Sequence, residues 1–238
     1  MKLVLAATTI FGLIGGGVLA VQEAREANIA QASLSEEAAI APRRIIIGLD
    51  ISKSNPLVDN AAFADKVAVR IANIVKGLGM ASEVHVRTFG SYDASSNNFY
   101  YDARISARNR PEVVATEIHK LIAGTPLLVR SGKWVSQSNT NILAFLDNVS
   151  QSIGCSGMPT TVVLASDGIE DSEYVRLQNT GAHLPAPAGR PFRGCAEMQI
   201  LGLGQGTRSP IVTSRLRGEW TRWAATAGFG HFLGLNDW

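Results

Sequence analysis

One carboxylate and two hydroxyls fall at alternate positions in Asp50-Ile51-Ser52-Lys53-Ser54. Residues two apart in an extended segment point the same way, so these three groups can face one point. A third hydroxyl, Thr140, stands in Ser138-Asn139-Thr140-Asn141, and a second carboxylate, Asp167, in Ser166-Asp167-Gly168. All five are oxygen donors, a set that suits Mg²⁺ or Mn²⁺ and not zinc. Mg²⁺ typically keeps several of its waters, so such a shell leaves a position for an oxygen from a partner. The plainer alternatives are that Asp50 and Asp167 cap helices or sit in turns, and that Ser52, Ser54 and Thr140 are each a helix cap.

Other chemistries fit less well. The stretch from Gly48 to Ser54 is one residue short of a phosphate-binding loop, lacks its second glycine and puts Asp50 where a phosphate would sit. His85, His119, His183 and His231 lie on different predicted elements without paired spacing, so none is taken as a catalyst. No GxSxG elbow or DxDxT nucleophile motif occurs, although residues brought together only in space would leave no such trace. Trp134 reads equally as a contact residue on the rim of the site or as local packing, whereas Trp220 and Trp223, on a predicted helix, read as core.

The oxygen groups need strands and helices to hold them. Residues 43–50 (RRIIIGLD) and 159–166 (PTTVVLAS) are near-continuous apolar runs, the pattern of central parallel strands buried on both faces. Further strands are expected at 83–89, 98–105, 197–203 and 229–235, with 98–105 as a short edge strand. Helices are expected at 61–78, 111–122, 141–153 and 209–227; Pro111 suits a first helical turn and Gly77 and Gly79 a helix end. This alternation predicts an α/β domain with a mostly parallel sheet and helices on both faces. Ligands of such sheets bind beyond the carboxyl ends of the strands, which is where Asp50 and Asp167 fall. Helix N-termini there are expected to favour an incoming anion. Gly181 to Gly194, with Pro185, Pro187 and Pro191, is the centre of a long irregular insertion.

Taken together, DISKS at 50–54, Thr140 before a helix and SDG at 166–168 resemble the von Willebrand factor type A domain with its metal-ion-dependent adhesion site. The resemblance covers 43–235, in matching order and intervals. It implies a three-layer, doubly wound, Rossmann-like sheet that is mostly parallel with one antiparallel edge strand. It also implies that Ser52, Ser54 and Thr140 bind Mg²⁺ or Mn²⁺ directly or nearly so, that Asp50 and Asp167 act largely through water, and that an acidic residue of a protein partner completes the shell. The chain departs from the family pattern at 124–139 and in the insertion after Asp167. In the family's strand order the strands that follow Cys155 and Cys195 are parallel neighbours, which implies a Cys155–Cys195 disulfide; the alternative is two unpaired buried thiols.

The 238 residues carry 22 basic and 20 acidic side chains, a net charge of +2 that gives no general attraction to nucleic acid or to an anionic membrane. With 46% hydrophobic residues the chain can bury a core, which excludes disorder throughout. Two cysteines are too few for a disulfide scaffold and lack zinc-knuckle spacing. Lys2 followed by an apolar run to Val21, closing on Val18-Leu19-Ala20, reads as an export signal or an uncleaved anchor over 1–21. A polar tether follows over 22–42, then the domain over 43–238. The expectation is a non-enzymatic, exported bacterial module of the periplasm or cell envelope, touching the membrane only through 1–21 if that segment is uncleaved. The rivals are a metal-dependent hydrolase and a structural envelope subunit with a vestigial metal site.

Overall fold

Apolar side chains on both faces of β1, Arg44–Asp50, bury all but its first residue and make it the centre of the domain. The structure, a computed structural model, describes residues 40–91, 99–207 and 209–238. The expected export segment 1–21, most of the tether and Asn98 lie outside the described residues.

Five further strands follow in the chain: β2 Glu83–Phe89, β3 Tyr100–Arg104, β4 Thr160–Ala165, β5 Cys195–Leu201 and β6 His231–Leu235. They form one six-stranded sheet in the order β3-β2-β1-β4-β5-β6, parallel except for the antiparallel edge strand β3. The helices are α1 Ala61–Lys76, α2 Pro111–Ala123, α3 Thr125–Arg130, α4 Ile142–Ser152 and α5 Pro210–Ala227, with a 3-10 turn at Pro56–Val58. This is the α/β, three-layer arrangement of a mostly parallel, doubly wound sheet. Ala41–Trp238 make up one compact unit.

Period-two alternation in β1 divides the core between the two faces. Ile45, Ile47 and Leu49 pack with α1 and α2, whereas Ile46 packs with α4 and α5. Gly48 belongs to the second face, where a Cβ would come within 2.8 Å of Leu164 and Phe145; glycine lets α4 close on the sheet.

The elements depart from the sequence expectation mainly at their ends. Asn141 is not in its helix but caps it, accepting from Ala144 N, and α1 ends at Lys76, two residues early, with Gly77 as its cap. β5 begins at Cys195, two residues ahead of expectation, and β6 at His231, two residues behind. The helix α3 lies where no element was expected: Pro126 opens it in the first turn, and six residues give too little periodicity to read. Between β4 and β5 the insertion has no helix or strand, but it is fastened down. Leu177 and Phe192 are buried, Phe192 stacks on Phe229 at 4.4 Å, and Glu219 of α5 accepts from Leu184 N and pairs with His183. Cys155 and Cys195 are joined by a disulfide with Cα atoms 5.0 Å apart, at the base of the insertion and the entry of β5.

Candidate metal centre

The order of the sheet reverses between β1 and β4, because the chain runs outward from β1 to β2 and β3 and then from β4 to β5 and β6. The loops leaving β1 and β4 therefore diverge to opposite sides and leave a crevice at their carboxyl ends. Leu49 pairs with Ala165, so the next residue of each strand, Asp50 and Ser166, meet at the mouth of that crevice. They share the α4 face of the sheet, and Ser166 Oγ donates to Asp50 Oδ2 at 2.7 Å.

Asp50 is fully buried, and its Oδ1 accepts from Ser52 N at 2.9 Å, which folds the chain back so that Ser52 follows it over the strand end. Ser52 Oγ and Ser54 Oγ lie 3.4 Å apart, the first buried and the second exposed. Asn55 secures this loop from below, its Nδ2 donating to the carbonyls of Asp50 and Ala165, 2.8 and 3.0 Å away. Neighbouring loops are joined by main-chain bonds. Lys53 N donates to Gln137 O and Gln137 N to Ile51 O, while Thr140 and Asp171 exchange N–H···O bonds of 3.2 and 2.9 Å. The loop of Ser52 is thus tied to that of Thr140, and the loop of Thr140 to that of Asp167.

Asp167 is also buried, its Oδ1 accepting from Ile169 N at 2.9 Å. Gly168 turns the chain at φ 72°, where a Cβ would come within 2.5 Å of Leu203. Trp220 Nε1 of α5 donates to the Gly168 carbonyl at 2.7 Å, so this buried tryptophan both packs the core and anchors the loop. Gly204 N donates to Asp167 O at 2.8 Å from the loop after β5.

Burial lifts the Asp50 carboxyl to about 6, against hydrogen bonds from Ser166 and Ser52 that pull it down. Burial likewise pushes Asp167 well above the usual carboxylate range, and the nearby Asp50 charge adds to it. Among the described residues no Lys, Arg or His pairs with either carboxylate. No group of three or more His, Cys, Asp and Glu among them is placed to hold a metal ion. What converges instead is two buried carboxylates with the hydroxyl-bearing residues Ser52, Ser54 and Thr140 on adjoining loops. That donor set fits a hard divalent cation, which would supply the positive charge that the protein does not.

One expectation, the free helix N-terminus, meets a different arrangement, and the structure also places the tryptophan and the histidines that the sequence left open. Trp134 is half-buried and packs its ring on Phe99 at 5.4 Å, while its neighbour Val135 is 70% exposed and is the more open apolar side chain on that loop. The N-terminus of α4 is not free for an incoming anion, because Glu170 Oε2 already accepts from Ile142 N and Leu143 N at 2.8 and 3.2 Å. Each histidine sits beside its own carboxylate: His85 by Asp102, His119 by Asp65, His183 by Glu219 and His231 by Glu197. Sequence reasoning missed Asn55, Ser166 and Glu170 as parts of the site. The parity of β4 carried a signal for Ser166; the insertion carried none for Glu170.

No family model and no curated protein matches the sequence. Among solved structures the chain is similar to the pilus adhesin SpaC from Lactobacillus rhamnosus GG, at 15% identity over 84% of this chain and 29% of the adhesin, with a TM-score of 0.45. It is similar also to the conserved hypothetical protein BatB from Bacteroides thetaiotaomicron, at 15% identity over 82% of this chain and 91% of that one, with a TM-score of 0.46. The chain spans less than a third of the adhesin's length. Among the described residues no helix is long and apolar enough to cross a membrane.

Proposed function

We propose that this chain is an exported, divalent-cation-dependent protein-binding module of the von Willebrand factor type A kind. In this reading Asp50, Ser52, Ser54, Thr140 and Asp167 hold Mg²⁺ or Mn²⁺, and an acidic residue of a protein partner completes the shell. Residues 1–21 carry the module to the periplasm or cell envelope.

The observation that supports the reading is the pair of buried carboxylates at adjoining strand exits, raised in pKa and facing no cationic side chain. Two buried like charges without a countercharge repel each other and lose hydration, a cost that structural aspartates usually avoid by pairing. Bound there, a divalent cation supplies that countercharge and presents an open position to an anionic oxygen. Asp50 and Asp167 provide the negative charge, the hydroxyls neutral oxygen, and Ser166, Asn55 and Trp220 hold the loops in place. The net charge of +2 gives no general attraction to nucleic acid.

Calorimetric titration of Mg²⁺ and Mn²⁺ into the wild type and three variants tests it. Asp50→Ala and Asp167→Ala each remove a charge facing the cation and should abolish or strongly weaken uptake; Ser52→Ala keeps both carboxylates and should weaken it less. Partner capture from the native envelope should then fail in chelator. A wild-type protein that takes up neither ion at millimolar concentration overturns the reading.

A further inference from the structure

Glu170 is fully buried, though it belongs to the irregular insertion and not to any element. A carboxylate is seldom buried without specific partners, and here one oxygen finds them at the start of α4 while the other, Oε1, is buried without a hydrogen-bond partner among the described residues. Its Oε2 accepts from the first two helical amides, Ile142 N at 2.8 Å and Leu143 N at 3.2 Å, where the helix dipole favours a negative group. Its main chain is tied as well, Leu177 N donating to Glu170 O at 2.9 Å. The next residue, Asp171, exchanges two main-chain bonds with Thr140. Asn141, between Thr140 and the helix, is held by Glu173 at 3.1 Å through its Nδ2. Residues 170–173 and 140–143 are therefore closed on each other by main-chain and side-chain bonds, and Glu170 is the one buried carboxylate in that closure. Burial raises its carboxyl to about 7.

We infer that Glu170 is a positioning residue of the metal centre: by reaching the Ile142 and Leu143 amides it locks the loop of Asp167 to the loop of Thr140, and so fixes the separation of two groups on different loops. The inference rests on the metal reading above and adds a residue that lies outside the DxSxS, Thr and Asp-Gly pattern. Glu170 touches no cation in this role. Two residues separate it from Asp167, and no cluster of three carboxylates is placed to hold a metal ion among the described residues. What it supplies is reach, not charge on the ion.

Two variants separate reach from charge. Glu170→Gln keeps the length of the side chain and a carbonyl oxygen for the two amides but loses the charge. Glu170→Asp keeps the charge but is one methylene too short to hold both amides. Mg²⁺ affinity is measured by calorimetry on the full chain, with hydrogen exchange of the Ile142 and Leu143 amides followed in chelator. The expected result is Mg²⁺ affinity within about threefold of wild type for Glu170→Gln and at least tenfold weaker for Glu170→Asp, with faster exchange of the two amides in Glu170→Asp alone. The reverse order would make Glu170 an electrostatic group and overturn the inference, as would two variants equal to wild type or two equally impaired. A wild type that binds no Mg²⁺ would instead overturn the metal reading itself, so the two failures are distinct.

Discussion

Replacing Ser166 by alanine removes one oxygen atom that serves two buried partners at once. Its hydroxyl donates to Asp50 Oδ2 at 2.7 Å and accepts from Gly168 N at 3.0 Å, and the residue is fully buried. Alanine fits the space, so the change is electrostatic and not steric. A hydrogen bond to a charged group contributes about 1.5–3 kcal/mol, and a buried N–H left without an acceptor costs about 1–3 kcal/mol, so Ser166→Ala should lower stability by roughly 3–5 kcal/mol at pH 8. The pH dependence is fixed in sign. Ser166 pulls the Asp50 pKa down from where burial alone would put it, to about 6, so its removal raises that pKa further. The lost bond is therefore charge-assisted at pH 8 and neutral at pH 5, and the penalty should shrink by about 1–2 kcal/mol on acidification. Urea unfolding in chelator, followed by tryptophan fluorescence at both pH values, measures this. A penalty below about 1 kcal/mol at pH 8, or one that is larger at pH 5, refutes the assignment of Ser166 as the donor that keeps Asp50 ionised.

The same protein can be probed in chelator and without its disulfide. Because burial raises the folded-state pKa of both Asp50 and Asp167, the folded protein binds protons more tightly than the unfolded chain. Stability in chelator is then greatest below the unfolded carboxylate range and falls as pH rises through the folded values; saturating Mg²⁺ should flatten that slope, and a slope unchanged by Mg²⁺ counts against the site. Cys155→Ser and Cys195→Ser each open a loop closed over a sequence separation of 40 and should cost about 4 kcal/mol by the chain-entropy model, read as a lower urea midpoint. Because Cys195 also opens β5 opposite Thr160, amide exchange at that strand entry should rise in both variants.

The architecture was legible wherever one physical signal dominated. The runs at 43–50 and 159–166 stand out because a strand covered on both faces has no polar period, and the structure places them side by side at the centre of the sheet as β1 and β4. Helices with a long apolar stripe, α1 and α2, were legible from their spacing. The six residues of α3 were not, since two turns hold too few apolar positions to define a period, and tertiary packing of Thr125 and Pro126 decides the matter. The strand ends β5 and β6 shifted because the disulfide at Cys195 and the turn at Gly228, with φ 101°, set where pairing begins. Both are events of tertiary structure.

For the site, the legible part is what lies on strands and the illegible part is what lies across loops. Asp50, Ser52 and Ser54 can be read as one group because period two is a property of the local chain, and Asp167 joins them as soon as β1 and β4 are neighbours. Ser166 obeys the same rule, since its parity places it on the face of Asp50. Glu170 obeys no such rule: its position against α4 follows from the closure of 170–173 on 140–143, a fit between an irregular insertion and a helix start. Trp220 is similar, because its indole can be read as core from its helical spacing but its bond to the Gly168 carbonyl depends on how α5 lies over the β4 exit. The charged and hydroxyl groups that would face a cation are thus written locally, whereas the residues that hold them at a fixed separation are written only in the fold. A cation site needs both, since donors set a few tenths of an ångström out of place lose the preference of Mg²⁺ for strict octahedral geometry. Substitutions that loosen this scaffold, at Ser166 and Trp220 or Glu170→Asp, should therefore change which cation is preferred, whereas substitutions at Asp50 and Asp167 should change whether one is bound at all.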